Sequence, residues 1–197
     1  MAATLPVFAV AGCGDDDPSA ADTTVNAEPD EAASPGGVDE ADLAFARDMV
    51  PHHQQALEMA RMAPDRTDDP EILELAAEIE AAQDPEIEQM TGWLESWGED
   101  APPTSMDHGA MGHGTDEEMP GMMTAEQMAE LESLEGVAWE RMFLTMMIRH
   151  HEGAIEMART QLDAGQDPEV TALAEQVVAD QEAEIATMTT LLEARTD

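Results

Sequence analysis

Two pairs of adjacent histidines are the residues of this sequence best suited to chemistry. His52 and His53 lie in the stretch MVPHHQQALEMA, and His150 and His151 lie in MIRHHEGAIEMA, 98 residues later. One methionine stands a helical turn before each pair and another follows it: Met49, Met59, Met147 and Met157. Imidazole and thioether groups together suit soft monovalent cations such as Cu(I) and Ag(I). The pattern therefore indicates a soft-metal site.

The same histidines allow a second interpretation, a closed polar network without metal. With ~100° of rotation per residue, both histidines of each copy flank the apolar stripe of their helix. Polar groups on buried faces need partners, and the nearest matching side chains in the neighbouring helices are Glu86, Glu184, Gln83 and Gln181. The sequence leaves open whether this set fixes helix register or supports metal-binding imidazoles.

The methionines near the histidines are also open to two interpretations, thioether ligand or core filler. Met is a flexible residue that fills irregular gaps between helices. Core filler is the stronger interpretation for Met59 and Met157, whereas Met49 and Met147 fit either role.

Copper as Cu(I) is the favoured cation and silver is an alternative, while zinc and iron fit less well. Dinuclear iron bundles use Glu-x-x-His, and no glutamate stands three residues before any histidine of this chain. Zinc could use His and Glu, but a zinc site would leave the 16 methionines unexplained. The residue types thus favour a soft cation.

The segment between the two copies supplies further candidate ligands. Its candidates are His108, His113, Met122 and Met123, in a run that also contains Met106, Met111 and Met119. Gly, Pro and acidic residues predict an unpacked linker over residues 99–123, where Met has no core to fill. Such a segment indicates capture of soft cations that are then passed to the helices. Chance enrichment in a low-complexity segment is the alternative.

The repeat predicts the elements that must position these side chains. A gapless repeat of about 53 residues is typical of a duplicated supersecondary unit. Each copy reads as two amphipathic helices, and the helices of the second copy are expected to break near Gly136. Two αα-hairpins, 39–98 and 124–197, predict an all-α, four-helix, ferritin-like bundle domain with a long crossover linker. Its N-caps are expected at Asp39 or Asp42 for the first helix, and at Asp69, Thr124 and Asp167 for the others.

Composition excludes several function classes. The 197 residues carry a net charge of −38 with seven Arg and no Lys, so nucleic acid and anionic lipid are repelled. Hydrophobic residues make up 43% but aromatic residues only 3%, so Ala, Leu, Ile and Met must fill a core of closely packed helices. We expect a metal ion as the binding partner, and the sequence identifies no protein partner.

The N-terminal segment predicts export. Residues 1–13 read as the end of a secretory signal, and Val10–Cys13 has the form of a bacterial lipobox in which Cys13 is lipidated. Residues 14–38 then form a disordered acidic linker, and the membrane is contacted only through the lipid. The alternative is an apolar terminus with an incidental cysteine. With a single Cys, no internal disulfide is available.

Two motifs, Phe45 with MVPHHQQALEMA and Phe143 with MMIRHHEGAIEMA, are each followed by a Gln, Glu and Met set. These sets are Gln83, Glu86, Met90, Gln181, Glu184 and Met188. The motifs resemble the bacterial family called domain of unknown function 305, over about residues 40–195 apart from the linker. The resemblance implies a ferritin-like bundle in an exported protein, often a lipoprotein, and a copper or silver role for the matching residues. Arg149 departs from the motif, which has Pro51 in the first copy.

The sequence therefore favours an extracytoplasmic copper-binding protein for metal buffering, tolerance or delivery. Two alternatives stay open. One is an enzyme, a metal-dependent oxidase, which needs an open coordination position and turnover. The other is a metal-free interaction bundle whose His–Glu network is structural.

Overall fold

Six helical segments make up the secondary structure of the residues that the computed structural model describes, 37–102 and 119–195. In chain order they are α1 (Glu40–Arg61), α2 (Ala63–Arg66), α3 (Pro70–Trp97), α4 (Ala125–Glu132), α5 (Gly136–Ala164) and α6 (Pro168–Ala194). These described ranges contain no β-strand. The predicted all-α class is confirmed.

Short polar side chains begin α1, α3, α4 and α6, as predicted. Asp39 and Thr124 form capping boxes with the residue three positions later, and Asp69 and Asp167 accept hydrogen bonds from first-turn N–H groups. These bonds satisfy donors that no helix carbonyl can reach. The expected break in the second copy is also confirmed, since α4 ends before Gly136, whose φ of 57° favours glycine.

The four long helices pack so that the histidines lie at the middle of the core. α1 packs on α3, α5 packs on α6, and α1 and α5 pack on each other. One apolar cluster joins Met59 of α1 to Phe143 and Met147 of α5, and a second joins Met49 of α1 to Ala154 of α5. The C-terminal half of α1 thus packs on the N-terminal half of α5, and the N-terminal half of α1 packs on the C-terminal half of α5. The two helices therefore run antiparallel. Both histidine pairs lie between the two clusters.

Buried carboxylates fasten the loop of each hairpin to the other hairpin. Asp42 on α1 accepts hydrogen bonds from the backbone N–H groups of Gln166 and Asp167, at 3.2 and 3.0 Å. Its repeat counterpart on α5, Glu140, accepts a hydrogen bond from the Thr67 hydroxyl at 2.5 Å. Burial by itself would raise the pKa of Asp42, but hydrogen bonds from backbone and side-chain N–H groups lower it. The two acids therefore hold α1 and α5 in one relative position.

The prediction of an unpacked linker over residues 99–123 is wrong for its last five residues. Residues 119–123, which we name the docked segment, pack against the helices. Met122 is 4% exposed, and Met123 is 2% exposed and belongs to an apolar cluster of the core. Gly121, with φ of 79°, allows the turn. The prediction treated Gly and Pro only as obstacles to packing, whereas a tight turn uses them.

Several predictions concern residues that the structure does not describe. Cys13, the signal-like residues 1–13 and nearly all of linker 14–38 lie outside the described residues, as do His108 and His113. Among the described helices, none is both long enough and apolar enough to cross a membrane.

Candidate metal centre

Four buried imidazoles meet where α1 and α5 face each other. The ring centroids of His52 and His150 lie 3.8 Å apart, those of His52 and His53 6.5 Å apart, and those of His150 and His151 6.4 Å apart. All four residues are 0% exposed. The expectation that the duplication brings the two pairs together is confirmed, and the inner pair is formed by one ring from each copy.

Each outer histidine is fixed by a glutamate from the other helix of its own hairpin. His53 Nε2 lies 2.8 Å from the Glu86 carboxylate, and His151 Nε2 lies 2.6 Å from the Glu184 carboxylate. An ionised carboxylate can only accept a hydrogen bond, so Nε2 is the donor, and in the neutral form of the ring the lone pair is then on Nδ1. Neither Nδ1 atom has a hydrogen-bond partner in the protein. The glutamates thus orient a free lone pair on each outer ring.

The inner histidines also carry nitrogen atoms without a protein partner. His52 Nε2 donates to the Pro120 carbonyl at 3.0 Å, and its Nδ1 has no partner. Neither ring nitrogen of His150 makes a well-aligned hydrogen bond, and its nearest polar neighbour is the backbone of His52, which raises its pKa slightly against the effect of burial. Leaving a buried polar atom unpaired costs about 1–3 kcal/mol, and each neutral ring offers one lone pair. The network is closed at Glu86 and Glu184, whereas the ring nitrogens that face away from these carboxylates have no hydrogen-bond partner among the described residues.

Burial keeps the inner imidazoles neutral. Loss of hydration, followed by repulsion from His53, lowers the pKa of His52 to about 3. For His150, burial again comes first and the neighbouring imidazoles second, and the pKa falls well below the usual 6.5. Only the neutral imidazole can bind a metal. Protons therefore compete little for these two rings at neutral pH.

The structure places the four predicted methionines in different surroundings. Met49 and Met147 are 0% exposed, one turn before the histidine pairs, and each belongs to one of the two apolar clusters beside the rings. Met59 is also 0% exposed within the core, which agrees with its interpretation as filler. Met157 is only half-buried.

The carboxylates and imidazoles do not by themselves form a metal cage. Within residues 37–102 and 119–195, no three His, Cys, Asp or Glu side chains are grouped as ligands of one ion. Harder cations such as zinc use cages of that kind, with three or four such ligands.

The docked segment lies against the histidines and is held there by backbone contacts. Gln55 donates to the Met123 carbonyl at 2.8 Å and accepts from the Met123 N–H at 2.7 Å. A Cβ added to Gly153 would overlap the Pro120 carbonyl, and one added to Gly121 would lie 3.0 Å from the Gly153 Cα. Two glycines therefore permit the close approach that brings the Pro120 carbonyl to His52.

The sequence reasoning missed Gln55, Gly153 and Pro120. Gln55 and Gly153 occupy equivalent positions in the two copies of the repeat, and both contact the docked segment. The difference between Gln55 and Gly153 could have revealed the contact, because the residues on either side of them are similar in the two copies. The docked segment crosses both α1 and α5, and within the described part of the chain no second segment does the same in the symmetric position. The two copies of the repeat therefore need different residues where it crosses.

Replacing Gly153 by alanine is expected to destabilise the protein by about 1–3 kcal/mol, because the added methyl group displaces the Pro120 carbonyl. Urea unfolding measures this loss. Gly92→Ala is the matched control, because Gly92 is an exposed residue of α3 with open space around its Cα. It should gain about 0.5–1 kcal/mol from helix propensity. Equal effects of the two substitutions would contradict the close approach.

Comparison with known proteins gives one family. The family model described as Domain of unknown function (DUF305) matches residues 42–192. No curated protein matches the chain.

Solved structures of similar chains share the fold. The "putative secreted protein DUF305 from Streptomyces coelicolor" is 39% identical, with a TM-score of 0.68, and the match covers 79% of this chain and 93% of that one. The DUF305 fragment from Deinococcus radiodurans is 34% identical, with a TM-score of 0.68 and coverages of 80% and 98%. CopM in its Cu(I)-bound form is 28% identical, with a TM-score of 0.63 and coverages of 79% and 98%. Structures of CopM bound to Cu(II) and to silver also match.

Proposed function

The chain belongs to the DUF305 family, and from this premise we propose that it binds copper, chiefly as Cu(I), and silver, for buffering, tolerance or delivery outside the cytoplasm. The observation that carries the proposal is the group of four buried imidazoles with unpartnered lone pairs at the centre of the core. The similarity to CopM, which forms Cu(I)-, Cu(II)- and Ag-bound structures, supports the same cations.

We assign the ligand set by chemistry and position. The imidazole ligands are His52, His53, His150 and His151, through Nδ1 wherever Nε2 donates a hydrogen bond. The thioethers of Met49 and Met147 are the sulfur ligands, because each lies one turn from a histidine pair on the same helix. Glu86 and Glu184 act as supporting groups that hold their rings by hydrogen bonds, as carboxylates commonly do for metal-bound histidines.

The remaining predicted ligands take other roles in this proposal. Met59 packs the core. Met122 and Met123 anchor the docked segment, because both are buried and the Met123 backbone is held by Gln55. His108 and His113, which lie outside the described residues, stay proposed capture residues.

The proposal extends to architecture and location. The four long helices form a ferritin-like four-helix bundle of two duplicated hairpins, with 39–98 and 124–197 in one domain. Export and lipidation at Cys13 follow from the signal-like N-terminus. The name of the similar Streptomyces coelicolor protein is in accord with export.

A second candidate function is a metal-free bundle in which the histidines fix helix register. The His53–Glu86 and His151–Glu184 hydrogen bonds favour it, because each closes half of a polar network. Against it stand the unpartnered nitrogens of the inner rings. A register-fixing network has its groups satisfied.

Metal content and competition titration distinguish the two candidates. We expect full-length untagged protein, purified from its native envelope, to contain copper above zinc and to take Cu(I) from a colorimetric chelator under anaerobic conditions. The titration is repeated in high salt, because cations held loosely by the −38 surface are released by screening while buried ligands are not. Binding that disappears in salt, or no copper at all, would leave the structural network as the function.

A further inference from the structure

A second group of soft ligands lies at the surface, beside the docked segment. A pocket of about 270 Å³ opens between the first half of α1 and the second half of α5, and Met119 and Met157 both line it. The carboxylate-bearing residues Asp48 and Glu156 stand on the same walls. We name it the outer pocket. Thioethers select soft cations, and carboxylates on a wall concentrate cations in general.

Met157, which lines the outer pocket, packs at the edge of an apolar cluster and is less buried than its repeat counterpart. Met59 is 0% exposed inside the core, whereas Met157 at the equivalent position is half-buried and faces the pocket. Asp48 is likewise exposed where the second copy has the buried Met146. The duplication alone would place a filled core on both sides. On this side of the bundle, the docked segment adds Met119 to the lining of the pocket.

A buried amide oxygen on the pocket wall has no partner. Gln161 lines the outer pocket and is 1% exposed. Its Nε2 donates to the Asp42 carboxylate, which can only accept, so the orientation of the amide is fixed. The Oε1 atom then has no hydrogen-bond donor in the protein. An unpaired buried acceptor is costly, and a cation in the pocket is a group that it could face.

One residue separates the outer pocket from the histidines. Pro120 lines the pocket and its carbonyl accepts the hydrogen bond from His52 Nε2 at 3.0 Å. A cation at Met119 and Met157 would thus lie on the outer face of the same turn whose inner face contacts the imidazoles.

We propose that the outer pocket is a loading site, where Cu(I) or Ag(I) binds weakly to Met119 and Met157 before it reaches the buried histidines. Weak binding at the pocket depends only on its own residues. Transfer inward rests on the proposed function of the histidine site. The oxidation state of the cation does not change at either step.

The test uses full-length protein labelled with [methyl-¹³C]methionine and titrated with Ag(I), a diamagnetic stand-in for Cu(I). In the wild type, we expect the Met119 and Met157 methyl resonances to shift with cation added after the histidine site is filled. In His52→Ala/His150→Ala protein they should shift from the first addition. Resonances that stay unmoved in both proteins would overturn the loading site. Movement in the variant would support it even if the histidine proposal fails.

A kinetic comparison gives a second, independent readout. Met119→Leu/Met157→Leu keeps the apolar volume but removes both sulfurs. It should slow Cu(I) transfer from the chelator with unchanged final affinity, because the soft sulfur ligands are lost while Asp48 and Glu156 still attract cations. Met142→Leu is the matched control, because Met142 is half-buried against the core and does not line the pocket. Equal transfer rates in the wild type and the double methionine variant would overturn the loading site. The histidine site is tested separately by His52→Ala/His150→Ala.

Discussion

Replacing both His52 and His150 by alanine is expected to abolish tight Cu(I) binding, with an affinity loss of at least about a thousandfold, or ~4 kcal/mol. The two rings face each other at 3.8 Å and come from different copies of the repeat. In the proposed site, their loss removes the two rings through which both hairpins would share one cation. Loss of a supporting hydrogen bond to a metal-bound histidine costs about 10–100-fold, and two direct ligands should exceed that. Chelator competition under anaerobic conditions measures the change.

The double alanine variant also leaves space in the core, so it needs a matched control. Gln83→Ala/Gln181→Ala truncates another pair of repeat-related buried polar residues, 2% and 3% exposed, whose amides are poor ligands for a soft cation. It should perturb packing comparably and keep copper affinity. Circular dichroism establishes that both variants are folded. Unchanged stoichiometry and affinity in the histidine variant would refute the buried site.

Metal-free protein is expected to lose stability steeply between pH 6.5 and pH 5. Burial lowers the pKa of both His52 and His150 in the folded state, to about 3 for His52, from 6.5 for an exposed ring. Below pH 6.5 the unfolded chain binds protons that the folded chain does not, so the free energy of unfolding falls as pH falls. Each ring contributes about 1 kcal/mol per pH unit, hence about 2 kcal/mol per unit for the pair.

Chelator-treated protein unfolded in urea at pH 7.0, 6.0 and 5.0 measures this slope. Ordinary carboxyl groups titrate below about pH 5 and add little in this window. Asp42, whose pKa is lowered from 3.8, contributes stability that is lost only at more acidic pH. His52→Ala/His150→Ala should flatten the profile, and Gln83→Ala/Gln181→Ala should keep it. A wild-type profile that is flat from pH 7 to 5 would show that the inner rings take up protons in the folded state.

The helices and their ends could be predicted from the sequence because their causes are local. Asp39, Asp69, Thr124 and Asp167 bond to N–H groups within three residues, and Gly136 adopts a backbone angle that other residues avoid. Burial of both histidine pairs followed from position on the apolar stripe. The sequence also predicted that Glu86 and Glu184 lie near the histidines. Each glutamate follows its histidine by 33 residues, and the two helices of a hairpin run antiparallel.

Only the tertiary structure decided which imidazole nitrogens are free and where the methionines lie. The docked segment binds through Gln55, Gly153 and the Pro120 carbonyl, contacts that join positions up to 68 residues apart. The spacing of apolar residues predicts which face of a helix is buried, but it does not predict which other segment of the chain covers that face. The burial of Met123 follows from that crossing. The sequence by itself thus determined which residue types are candidate ligands and which helices carry them. The long-range packing of residues 119–123 decided which hydrogen bonds the histidines make.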